Sequence, residues 1–147
     1  MVDLHPFFVH FPIALIVVAF LFDVYAAIIS DSQYHKSAFI LQLGSALAAL
    51  PAAFSGNLAE TAVRANGVLS GVVAESLDRH TSMANILVWL IIIFALSRVF
   101  AVLEKKHWAL AGWVYPGIGL FMAGFTILTG LAGGTLSSDI LSFFINN

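Results

Sequence analysis

Four stretches of this chain are apolar enough and long enough to cross a bilayer, and that feature leaves few folds open. They cover approximately residues 7–29, 37–55, 83–103 and 108–132. Inside hydrocarbon a backbone has no water to bond to, so each stretch is expected as an α-helix that satisfies its own N–H and C=O groups. Composition agrees: of 147 residues, 61% are hydrophobic and 10% charged, and the mean hydropathy is +0.99. The chain reads as one integral membrane domain over residues 1–147.

The connections set the topology. "SDSQYHK" joins the first two spans and "EKKH" the last two. Both are short enough to make antiparallel hairpins, and both fall on one side of the membrane, here called side B. The link between the second and third spans, "GNLAETAVRANGVLSGVVAESLD", is longer and has apolar positions at helical intervals. It predicts one or two short interfacial helices on the opposite side, side A, with Asn66-Gly67 as a break and Glu60/Arg64 and Glu75/Arg79 as i,i+4 pairs. The fold class is therefore all-α: an antiparallel four-helix membrane bundle with those short helices between spans two and three. Small-residue pairs, Gly44/Ala48 and Gly130/Gly134, mark close helix approach. Pro51 and Pro116 are expected to kink their helices or delay their start.

Several function classes drop out. The net charge is −2 and no basic run stands out, so no nucleic-acid partner is expected. With no cysteine, thiolate metal sites, iron–sulfur ligation and covalent haem attachment are excluded. Asp3 precedes the first span, no Lys or Arg does, and no small-residue cleavage site follows, so the first helix is expected to remain in the mature protein. Lys36, Lys105 and Lys106, with Arg98 nearby, outnumber Arg64 and Arg79, which places side B in the cytoplasm and both termini outside.

That topology gathers His5, His10, Glu60, Glu75, Asp78, His80 and Asp139 on side A, leaving His35 and His107 as ordinary interfacial residues of side B. His80 and Arg98 are 18 residues apart, five helical turns, so they share a face. An arginine within a span faces the bundle interior, so His80 points inward too. Asp23 and Arg98 lie at matching depths from side B and are expected to form a structural ion pair. By the same count His5 shares a face with Asp23. Pro12 can rotate the first turns, so both His5 and His10 stand as partners for His80.

The opening "LHPFFVHFPIAL" resembles the small bacterial membrane proteins grouped as "domain of unknown function 2231". "GNLAE" (56–60), His80 and "TGLAGG" (129–134) extend the likeness over most of the chain. The resemblance implies a four-span protein of the bacterial inner membrane. In many relatives the position of Leu131 looks like another histidine. The family name assigns no activity.

Three readings follow from the polar residues. The sharpest is a non-covalent haem b site, His80 with His10 or His5 as iron ligands and Phe7, Phe8 and Phe11 lining the macrocycle, in a protein that passes electrons to a redox partner protein or quinone. The second is a non-redox structural or assembly subunit, forming homo- or hetero-oligomers through its glycine-rich fourth helix. The third is a zinc or copper site that adds Glu60 or Asp78, although no H-E-x-x-H spacing supports it. No hydrolase constellation is present, and four short helices with one charge pair offer little pathway for a channel.

Overall fold

The computed structural model describes residues 5–65, 71–104 and 112–146, apart from the side chains of 143, 144 and 146. Four helices account for nearly all of it: α1 (His5–Ile29), α2 (Ser32–Ala65), α3 (Gly71–Leu103) and α4 (Val114–Asn146). All four are long and apolar enough to span a membrane. Each packs against two neighbours, closing a ring α1–α2–α3–α4–α1. The α1–α2 contact is the most extensive, while α2 with α3 and α1 with α4 meet over much shorter stretches.

Residues are sorted inside out relative to a water-soluble bundle. Ala19, Ala26, Ala38, Ser45, Ala49, Ala52, Ala95 and Ala101 are buried. Large apolar side chains stand outside in heptad-spaced stripes, Ile40, Leu47 and Phe54 on α2 and Ile86, Ile93 and Phe100 on α3. Lipid is as apolar as a protein core, so burying leucine gains little there, and small residues that let backbones approach decide the packing. Bulkier Ile16, Leu87, Ile91, Phe94, Tyr115 and Met122 fill the middle.

The expected short interfacial helices on side A are absent as separate elements. Residues 56–65 continue α2, and 71–82 are the first turns of α3. Nothing in either stretch breaks a helix: no proline occurs, and a lone interior glycine such as Gly56 costs only about 1 kcal/mol relative to alanine. The pairs Glu60/Arg64 and Glu75/Arg79 form within these extensions, and Arg64 reaches across to Asp78 at 2.7 Å. α4 likewise runs 14 residues past its expected end at 132, pinned to α3 where the Ser76 hydroxyl donates to Asp139. At about 1.5 Å per residue, α2, α3 and α4 exceed a hydrocarbon core of about 30 Å, so their side A ends project from it. Pro51 sits within α2 and Pro116 in the first turn of α4, where a missing N–H is harmless.

The α1–α2 turn is also tighter than "SDSQYHK" suggests. Ser30 adopts a left-handed backbone (φ 55°), and the Asp31 N–H donates back to the Ala26 carbonyl, closing α1 as a Schellman motif. The Asp31 carboxylate then accepts from the Gln33 N–H at 2.8 Å and caps α2. Only two residues separate the helices. The expected Asn66-Gly67 break, the "EKKH" residues Lys105, Lys106 and His107, and the span start at 108 lie outside the described residues.

Candidate functional site

A cavity of about 590 Å³ opens in the side A half of the bundle and takes its lining from all four helices. Its walls are mainly aliphatic (Ile13, Ile16, Leu87, Val88, Ile91), with Glu60, Asn85, Thr126 and Thr129 as polar points. His5 from α1 and His80 from α3 both face it.

Each ring is seated on a glycine of the next helix. A Cβ on Gly56 of α2 would stand 3.0 Å from Cε1 of His5, and a Cβ on Gly133 of α4 would stand 3.0 Å from Cε1 of His80. Either side chain would have to move if its glycine became alanine. His5 is further fixed by Ser55, whose Oγ lies 3.1 Å from the ring Nδ1. His80 is less satisfied. Its Nδ1 is buried without a well-formed hydrogen bond, although the Thr129 carbonyl lies beside the ring. A buried, unpaired ring nitrogen in a membrane interior is costly unless something binds it.

His10 stands apart from this pair. It borders the cavity, but its ring is exposed and its Nδ1 donates to the carbonyl of Pro6 in its own helix. α1 stays helical through Pro12. At about 100° per residue, His10 lies about 140° around α1 from His5, and Phe7 about 200°. The expected aromatic lining of Phe7, Phe8 and Phe11 is not among the residues that line the cavity: Phe7 and Phe11 are 60% and 50% exposed and pack edge to face on each other. Leu131 is also turned outward, 63% exposed. Among the described residues no three histidine or carboxylate side chains converge as a metal ion would require.

The other polar centre lies toward side B. Arg98 donates to both oxygens of Asp23, Nη1 to Oδ2 at 2.7 Å and Nη2 to Oδ1 at 3.2 Å. The two residues are 0% and 1% exposed. His35, expected as an ordinary interfacial residue, is instead 5% exposed. Its Nδ1 donates to Asp23 Oδ1 at 2.8 Å, and its backbone carbonyl accepts from Arg98 at 3.2 Å. The two-residue turn is the reason, because it carries His35 into the first turns of α2 and onto the inner face. The guanidinium lies 4.2 Å from the centre of the Tyr115 ring, a cation–π contact from α4. Of the Arg98 nitrogens only Nε has no partner.

Ser55, Gly56, Gly133 and Tyr115 were not identified as site residues from the sequence. A signal for two of them was present: Gly56 begins "GNLAE", and Gly133 lies in "TGLAGG". The opening histidine motif, these two segments and His80 come from four different helices and meet at one cavity. Residues 2–140 match a family model described as "Predicted membrane protein (DUF2231)". No curated protein and no solved structure matches the chain at a significant level.

Proposed function

The chain belongs to the DUF2231 family of predicted membrane proteins, and from the geometry of its side A cavity we propose that it is a membrane electron carrier holding a b-type haem between His5 and His80. The observation that carries the reading is the convergence of two imidazoles from different helices on one cavity. About 590 Å³ falls within the usual range for cofactor and ligand pockets. A porphyrin supplies four of the iron's ligands itself, so two histidines suffice where a protein-only metal site would need more. Bound haem would supply reversible one-electron transfer.

The chain's own residues have separate tasks in this reading. His5 and His80 are the ligands, and Gly56 and Gly133 give them room against α2 and α4. The aliphatic wall keeps water from the ring's faces, and His10 is left to the rim. The lysine bias supports an orientation with side A on the outer face of a bacterial inner membrane, from which a redox protein or quinone would exchange electrons.

Purification from haem-replete cells in mild detergent tests this. Oxidised and dithionite-reduced spectra should show a low-spin b-type cytochrome. His5→Ala and His80→Ala should each abolish it, and His10→Ala should not. Colourless protein would overturn the reading in favour of a structural or assembly subunit. A spectrum that survives His80→Ala would place the haem elsewhere.

A further inference from the structure

Ser55 carries one hydroxyl proton and makes two contacts. Its Oγ lies 2.9 Å from the Ala52 carbonyl and 3.1 Å from Nδ1 of His5. A carbonyl oxygen can only accept, so the hydroxyl proton goes to Ala52. The contact with His5 can then be a hydrogen bond only if the ring nitrogen donates it. Both bonds coexist in one protonation pattern, with the proton on Nδ1 and the lone pair on Nε2.

We propose that Ser55 is a positioning residue that holds His5 in the Nδ1–H tautomer and thereby presents Nε2 as the ligating atom of the side A cavity. The identity of the ligand rests on the haem reading above, whereas the tautomer does not. Gly56 reinforces the arrangement. With Cε1 and Nδ1 at 3.0 and 3.4 Å from where its Cβ would be, the ring lies against the α2 backbone, and a flip would set a carbon edge against the Ser55 oxygen. Histidines that bind metals usually donate their second N–H to an oxygen in this manner, which fixes the ring and raises its basicity. His80 has no side-chain clamp of this kind: its Nδ1 makes no well-formed hydrogen bond, and only the Thr129 backbone carbonyl lies beside the ring. The site thus pairs one preset imidazole with one that adapts.

The experiment uses the full chain in detergent at pH 8, labelled with ¹⁵N-histidine and examined before and after haemin is added. His5→Gln identifies the His5 ring signals. Before haemin, the wild-type His5 ring should show a protonated Nδ1 and an unprotonated Nε2. Ser55→Ala should mix the tautomers, and Ser55→Thr, which keeps the hydroxyl, should restore the wild-type pattern. Ser55→Ala should also weaken haemin binding by about 10–100-fold, while its thermal melt reports whether the fold is intact. A wild-type His5 protonated on Nε2, or a folded Ser55→Ala protein with the wild-type tautomer, would overturn the proposal. The expected tautomers without any haemin binding would overturn the haem reading and uphold the role of Ser55.

Discussion

The two ends of the bundle solve the same problem in opposite ways. Each draws one contribution from every helix. Toward side B these are Asp23, His35, Arg98 and the Tyr115 ring; toward side A they are His5, Gly56, His80 and Gly133. At side B the polar groups bond to one another, with Nε of Arg98 the one guanidinium nitrogen left without a partner. At side A the rings rest on glycines beside a cavity, and a nitrogen of His80 is unpaired. Polar groups inside a membrane are expensive in either form. A closed set returns that cost as a fixed structure, and an open set returns it only when something binds, so stability is concentrated at one end and reactivity at the other.

The strongest way to break this comparison is to open the closed end. Asp23→Asn leaves the Arg98 charge buried without a counter-charge and should destabilise the protein by about 3–5 kcal/mol. Replacing both partners together, Asp23→Leu with Arg98→Met, removes the unpaired charge and should cost less than Asp23→Asn alone. Reversible unfolding of Asp23→Leu, Arg98→Met and the double variant in mixed micelles would measure the cycle. Additive losses would show that the 2.7 Å contact is not energetically coupled.

His35→Ala should come next, at about 1–3 kcal/mol, the usual cost of removing a buried partner from a hydrogen-bonded group. His80→Ala is its counterpart in the open end. It removes a buried nitrogen that makes no well-formed hydrogen bond, so it should cost the ligand-free protein less than His35→Ala does while eliminating binding. Equal losses for the two variants in the same unfolding assay would contradict the division of labour.

These two histidines also show what the sequence could and could not convey. The depth of Asp23 and Arg98 within their spans, and the phase linking His80 to Arg98, follow from counting along regular helices. His35 was misread because counting needs a starting point. "SDSQYHK" has the composition of a seven-residue turn, and only the left-handed Ser30 and the Asp31 cap reduce it to two residues. The extensions of α2 and α3 were missed for a related reason: hydropathy falls at the membrane surface while helix propensity does not. Ser55, Gly56 and Gly133 act through contacts between helices, and no periodicity within one helix encodes which neighbour a glycine will meet.

Glycines give a finer version of the same contrast. In the closed half, a Cβ on Gly119 would stand 3.0–3.2 Å from the Phe20 side chain and 3.5 Å from its Cα. One obstructing atom is the Phe20 Cβ, which is fixed to the backbone and cannot swing away, so Gly119→Ala should force α1 and α4 apart and cost about 1–3 kcal/mol. On Gly133 the obstruction is the His80 ring, which borders a cavity and has space to swing into. Gly133→Ala should therefore cost less than about 1 kcal/mol yet shift the His80 ring resonances and any haem spectrum. Losses in the reverse order would mean that the cavity wall is as rigid as the closed end.

The smallest effect should come from Arg64, and it isolates what burial contributes. Arg64 contacts Asp78 at 2.7 Å, the same separation as Arg98 and Asp23. It also bonds to Glu60, so it contacts two carboxylates where Arg98 contacts one. Arg64 and Asp78 are both exposed, however, and water solvates each of them almost as well unpaired as paired. Arg64→Gln should shift the unfolding midpoint less than any variant above, and added salt should erase the shift, because exposed charges are screened and buried ones are not. Asp23→Asn should keep its full effect at high salt. If the two respond alike, the side B cluster is reached by water and ions, and the closed end is not closed.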